Sequence, residues 1–255
     1  MIAALVCEPS PGKPQIGGAR DPGDGGTMTS QRRFIILTAA LMVLILGGFN
    51  ASAIGSAPSP QVQGAELQQW FVDRQLVIRW SVWASTLGIA PFLALVAGLR
   101  DTLPRPYADM FGSAATVVAC TGAVQSWVWG GLALHPANAT PETMRTALDI
   151  AIYWGPVLTG AMIAMIAPVT VLALRGRVGL PKWLGWLGAI VVVEQGVETI
   201  TIFGLADFAA PGGRMNMQLG ASLVLAWLLA FAGCRLRSEA RPSVERETAT
   251  PVTRQ

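Results

Sequence analysis

Residues 189–203 read AIVVVEQGVETITIF. The run is apolar enough for a membrane helix, yet Glu194, Gln195 and Glu198 stand in its middle. Carboxylates are costly in hydrocarbon, and ionisable side chains at that depth face a bundle interior or a wet cavity. Spacing i, i+4 puts the two glutamates on one helix face. Glu198 lies about 6 Å further along the axis at 1.5 Å per residue. Thr201 extends this face, and Gln195 and Thr199 lie beside it. A helix crossing the bilayer here holds Glu194 close to the midplane.

The rest of the chain supplies the bundle that such a helix needs. Of 255 residues, 52% are hydrophobic and 13% charged, against about 25% charged in soluble domains. Six apolar segments, at 34–54, 76–99, 109–134, 147–174, 184–205 and 217–234, are each close to the roughly 20 residues that cross a hydrocarbon core as helix. They lack the period-2 alternation of barrel strands. The expected fold is all-α, a polytopic transmembrane bundle of six helices over residues 34–234. Residues 1–33 carry PSPGKP, IGG and DPGDGG, too polar and Pro/Gly-rich to fold alone, and read as a disordered tail with Met28 as an alternative start. Residues 235–255 read as a disordered basic tail.

The first segment admits two readings. Arg32-Arg33, an apolar stretch and then Ala51-Ser52-Ala53 match a cleavable signal peptide. The apolar stretch is long for that role, so the segment is expected to remain as a helix.

Lysine and arginine set the orientation. Lys13, Arg20, Arg32, Arg33, Arg100, Arg105, Arg175, Arg177, Lys182, Arg235, Arg237, Arg241, Arg246 and Arg254 fall on the side of the two tails. Arg74, Arg79, Arg145 and Arg214 fall on the other. Both termini are therefore expected in the cytoplasm, with the body in a bacterial-type inner (plasma) membrane. The lipid bilayer is the expected partner, with other membrane proteins as possible ones. The membrane body carries no net charge, so the basic pI gives no support for nucleic-acid binding.

Aromatic residues follow the same frame. Trp70, Trp80, Trp83, Trp127, Trp129 and Trp154 fall at outer helix ends, and Trp183 and Trp186 at the inner end of the fifth, as belt tryptophans do. Some of the outer six are candidates to line a pocket. Residues 65–76, AELQQWFVDRQL, read either as an amphipathic helix on the outer interface or as an extension of the second helix. Ala115, Ala119 and Ala123 form a small-residue stripe for close packing. Pro91, Pro156 and Pro168 each remove a backbone donor, and Gly155-Pro156 is the expected break.

The polar residues available to the glutamates lie in the outer half. They are Arg79, Gln125, Asn50, Asp149, Tyr153 and His135. The expected ligand-binding set is Glu194, Glu198, Arg79, Gln125, Asp149 and Tyr153, around an outward-facing pocket for a small cation or amphiphile, in a transporter component or sensor. The alternative is a non-catalytic scaffold or assembly partner, with Glu198–Arg79 as a buried ion pair fixing two helices. No GxSxG, HExxH, P-loop or dinucleotide fingerprint occurs, so no catalytic residue is assigned. One histidine and three scattered cysteines make no metal site, and no cofactor is expected.

The turn Pro181-Lys182-Trp183-Leu184-Gly185-Trp186-Leu187-Gly188, with short-looped helices and a basic tail, resembles a group of actinobacterial six-helix integral membrane proteins whose function is not assigned. The resemblance implies the six-helix architecture and brings no activity or site residue with it.

Overall fold

A computed structural model describes residues 25–54, 58, 61–62, 64–204 and 207–240. Among these residues the chain is all-helical. Seven α-helices run in order: α1 (Gly25–Ile54), α2 (Gly64–Arg100), α3 (Tyr107–Leu132), α4 (Pro141–Ile152), α5 (Trp154–Leu174), α6 (Lys182–Glu198) and α7 (Ala221–Ala240). A 3-10 segment, Thr199–Phe203, prolongs α6, and a π-helical segment, Met215–Gly220, leads into α7. Three helical stretches are long and apolar enough to cross a membrane: Gly64–Arg100, Lys182–Phe203 and Met215–Ser238.

Six of the helices close a ring. Helix α1 packs on α2, α2 on α3, α3 on α5, α5 on α6, α6 on α7, and α7 returns to α1. Helix α4 lies outside this ring against α2 and α3. The start of α1 and the finish of α7 share one end of the bundle. There Arg32 donates to the Gly98 carbonyl at 3.0 Å, and Arg235 donates to Val178 and Thr102 at 2.7 and 3.4 Å. We call this the terminal end and the opposite one the α4 end. Calls on residues 1–24 and 241–255 lie outside the described residues. Residues 25–33 of the expected tail belong to α1, and α7 runs past Cys234 to Ala240.

The expected fourth segment is two helices rather than one. Pro156 has no N–H to give the Ile152 carbonyl and its ring crowds that carbonyl. Helix α4 accordingly stops at Ile152, one turn before the proline, and Tyr153 forms the corner. Thr140 caps α4, accepting from the Thr143 amide at 3.3 Å, and Pro141 opens the first turn. Pro91 and Pro168 stay inside continuous helices. The two readings of residues 65–76 resolve as the extension, because α2 is unbroken from Gly64.

Two apolar cores flank the middle of the bundle. At the α4 end, Leu67 and Phe71 of α2 are fully buried against Trp129 and Leu132 of α3 and Met144 and Leu148 of α4. The α2 extension thus meets protein, and Trp129 enters this core rather than a lipid belt. At the terminal end, Leu95, Phe111, Val169, Leu184, Trp227 and Phe231 fill the ring from five helices. Phe231 meets Phe111 edge-on at 5.9 Å and lies 5.8 Å from Trp227. Close approach of α5, α6 and α7 here depends on Gly188. A Cβ at that position would stand 2.1 Å from Thr170 Oγ1 and 2.9 Å from Trp227 Nε1. In hydrocarbon such small residues let backbones pack without an intervening side chain.

Outward-facing positions are apolar and exposed, among them Leu37, Leu41, Trp80, Trp83, Trp127, Trp183, Trp186 and Val193. That pattern suits lipid contact. Trp80 and Trp83 form an edge-to-face pair at 5.3 Å on this surface.

Candidate functional site

Between the two cores the ring of helices lines a half-open cavity of about 590 Å³. Helices α1, α2, α3, α5, α6 and α7 all reach it. Most of its wall is apolar or small: Leu46, Gly88, Ala119, Gly122, Leu158 and Leu225 are representative. Polar groups come from Ser85, Gln125, Ser126, Gln195, Glu198, Asn216, Gln218 and Ser222. No tryptophan lines it among the described side chains, and the Trp154 side chain lies outside them.

The polar pole of the cavity is built where α6 changes helix type. Glu198 is the last residue of α6 and is 4% exposed. Gln195, one turn earlier, is fully buried. Its Nε2 donates to Glu198 Oε2 at 2.7 Å and to Glu194 Oε2 at 2.9 Å. A single amide therefore bridges both carboxylates. Asn216 Nδ2, from the π-helical segment, donates to Glu198 Oε1. Thr201, also buried, turns its hydroxyl back to the Glu198 carbonyl at 2.8 Å. This holds the 3-10 turn against the end of α6.

Two glycines make room for the cluster. A Cβ on Gly220 would lie 2.9 Å from Gln195 Nε2, 3.0 Å from Glu198 Oε2 and 3.3 Å from Glu194 Oε1. A Cβ on Gly155 would lie 3.3 Å from Asn216 Nδ2. The side-chain-free faces of α5 and the π segment are thus where the amides and carboxylates fit.

Electrostatically the cluster is unbalanced. Among the described residues neither Glu194 nor Glu198 has an ion pair; both accept from neutral amides. Carboxylates elsewhere are treated differently. Asp109 meets Arg100 at 2.6 Å, and Asp149 takes a two-pronged contact from Arg145. Three buried oxygens of the cluster have no hydrogen-bond partner: Glu194 Oε1, Gln195 Oε1 and Asn216 Oδ1. An unsatisfied buried polar atom costs about 1–3 kcal/mol, and a buried charge without a partner costs more. The arrangement gathers two carboxyl groups and two amides and, among the described residues, no basic side chain.

The expected site residues separate into three groups. Glu198 and Gln125 line the cavity. Glu194 is half-buried and joins them through Gln195 rather than forming wall itself. The other three are elsewhere. Arg79 does not serve Glu198. Its guanidinium donates to the Ala133 and Leu134 carbonyls at 3.1 and 2.6 Å, supplying donors that the last turn of α3 lacks. The expected ion pair is replaced by this helix cap. Asp149 is taken up by Arg145 one turn before it on α4, and Arg145 also donates to the Val62 carbonyl at 2.9 Å. The break at Tyr153 removes α4 from the ring and carries Asp149 out of the cavity. Tyr153 points its hydroxyl to the Ile202 carbonyl at 3.2 Å, bracing the 3-10 turn from outside. The Asn50 side chain lies outside the described residues.

Sequence reasoning missed Asn216, Gln218 and Gly220. The expected sixth segment began at Met217, which left Asn216 in a loop. The available signal was a run of polar amides, MNMQ at 215–218, against an apolar helix.

No protein-family model, curated protein or solved structure matches this chain. Among the described residues no group of three or more His, Cys, Asp and Glu could hold a metal ion.

Proposed function

We propose that this chain is an integral membrane protein that binds a small cation or amphiphile in its central cavity, with Glu198 as the charge centre. One observation carries the reading: a buried carboxylate lines a ligand-sized cavity with two amides and, among the described residues, no basic partner. Pockets for small molecules run to about 300–1,000 Å³, mostly apolar with a few converging polar groups. The cavity falls within that description. An ionised intramembrane group without a protein counter-ion calls for a proton or a cation.

All six helices of the ring cross the bilayer in this reading, with both termini in the cytoplasm. The support is charge bookkeeping along the described bundle. Arg32, Arg100, Arg105, Arg175, Arg177, Lys182, Arg235 and Arg237 belong to the terminal end, and four arginines to the other half. Retention of α1 is favoured by its packing, since Ile36 is fully buried and Leu46 lines the cavity. The cavity then belongs to the outer half and takes ligand from outside the cell.

The test is thermal unfolding of the full chain in nanodiscs, with and without added sodium, potassium or an alkylammonium. A ligand that binds the folded state raises its stability by mass action. The expected result is a rise in Tm with at least one cation in wild type and none in Glu198→Gln, with equal helix content by circular dichroism. Equal responses in the two proteins would remove Glu198 from the site.

A further inference from the structure

Resting on that reading, we infer that the ligand is an amphiphile with a primary ammonium head, seated on Glu198 with its apolar body in the cavity. A bare ion does not account for the volume. The cavity of about 590 Å³ is many times the roughly 30 Å³ share of a water molecule. Much of its wall, including Leu46, Gly88, Gly122 and Leu225, has no polar side-chain group to offer an ion. It suits a hydrocarbon body.

The head is defined by the acceptors. Gln195 Nε2 lies between two carboxylate oxygens, so its amide must present the nitrogen there and the oxygen elsewhere. Asn216 is oriented the same way by Glu198. Both amide nitrogens are thus spent on the carboxylates, and the amide oxygens lie buried where the cavity does not reach them. Glu198 is the acidic acceptor on the wall, and a head seated on it must bring a hydrogen-bond donor as well as positive charge. A primary ammonium carries three N–H donors. A quaternary ammonium carries none and is recognised by a cage of aromatic faces. Phe92 is the sole aromatic residue among the described residues lining this cavity.

The room for the body can be probed separately from the head. Gly122 of α3 lines the cavity, and a Cβ there would meet nothing within 4 Å. A leucine at this position takes up room in the cavity and leaves the carboxylates themselves unchanged.

The experiment compares n-octylamine with n-octyltrimethylammonium by isothermal titration into the full chain in nanodiscs, with empty nanodiscs subtracted. Wild type should bind the amine about tenfold or more tightly, the order of one hydrogen bond to a charged group. Glu198→Gln should abolish that preference. Gly122→Leu should weaken both ligands and keep the preference between them. Equal or tighter binding of the trimethyl compound overturns the ammonium head while leaving cation binding intact. Unchanged affinities in Gly122→Leu overturn the placement of the body. Absence of binding by both compounds, with a sodium or potassium response that Glu198→Gln removes, overturns this inference alone. No response to any of these cations overturns the reading beneath it.

Discussion

The two halves of the helix ring are made from the same six helices and nearly the same residue types, yet one is filled and the other hollow. In the terminal half, α7 turns Trp227 and Phe231 inward, and Phe111 meets them from α3. In the other half the same helix presents Ala221, Ser222 and Leu225, faced by Gly88, Ala119 and Gly122. The difference lies in side-chain volume along one helix. It also decides where a carboxylate can be tolerated. Glu198 lies in the hollow half, where the cavity can admit a ligand or water; a carboxylate among Trp227, Phe231 and Phe111 would meet a filled core with no such room.

Replacing Trp227 by alanine should break the comparison most severely. Truncating a buried Trp costs about 3–5 kcal/mol, and the filled half would acquire a second void. Equilibrium unfolding in mixed micelles should show this loss, and a variant as stable as wild type would mean that the terminal core is not what holds the ring. Gly188→Val comes next. It drives a branched side chain toward Thr170 and Trp227, and overpacking of this kind costs about 1–3 kcal/mol. Its Tm should fall while the ratio of amine to trimethyl affinity stays at the wild-type value, because the cluster lies in the other half. Arg79→Gln should have the smallest effect. Hydrogen bonds to charged donors are worth about 1.5–3 kcal/mol when buried, and solvent exposure of Arg79 reduces that to about 1 kcal/mol or less. Octylamine affinity should not change. A large loss of affinity in Arg79→Gln would revive the paired role expected for this arginine.

Much of the fold was legible because hydrophobicity and prolines act locally. The apolar runs gave the helical class and the approximate positions of the ring helices. Pro156 announced a break, although its effect falls one turn earlier than the proline itself, at the carbonyl it cannot serve. The site was half legible. Two carboxylates in an apolar run marked α6 as special, and Gln125, expected beside them, lines the same cavity as Glu198. Partners across helices were not legible, since depth along an axis does not fix rotation about it. Arg79 and Asp149 were expected at the depth of Glu198, but a helix end and a neighbouring arginine claim them first. Asn216 was invisible for a different reason: it sits in a π-helical turn, which departs from the 3.6-residue period on which pattern reading rests.

That π-helical turn has a consequence for how the protein could tolerate change. A π turn amounts to one residue inserted into an ordinary helix. Deleting a single residue within Met215–Gly220 would restore ordinary α-helix there, and because the wider i→i+5 turn has already absorbed the extra residue, α7 would keep its phase. Trp227, Phe231 and Arg235 would stay in the core, while Asn216 would lose its position relative to Gly220 and Glu198. The extra residue therefore serves the hollow half. A one-residue deletion here should dismantle the polar cluster and spare the filled core.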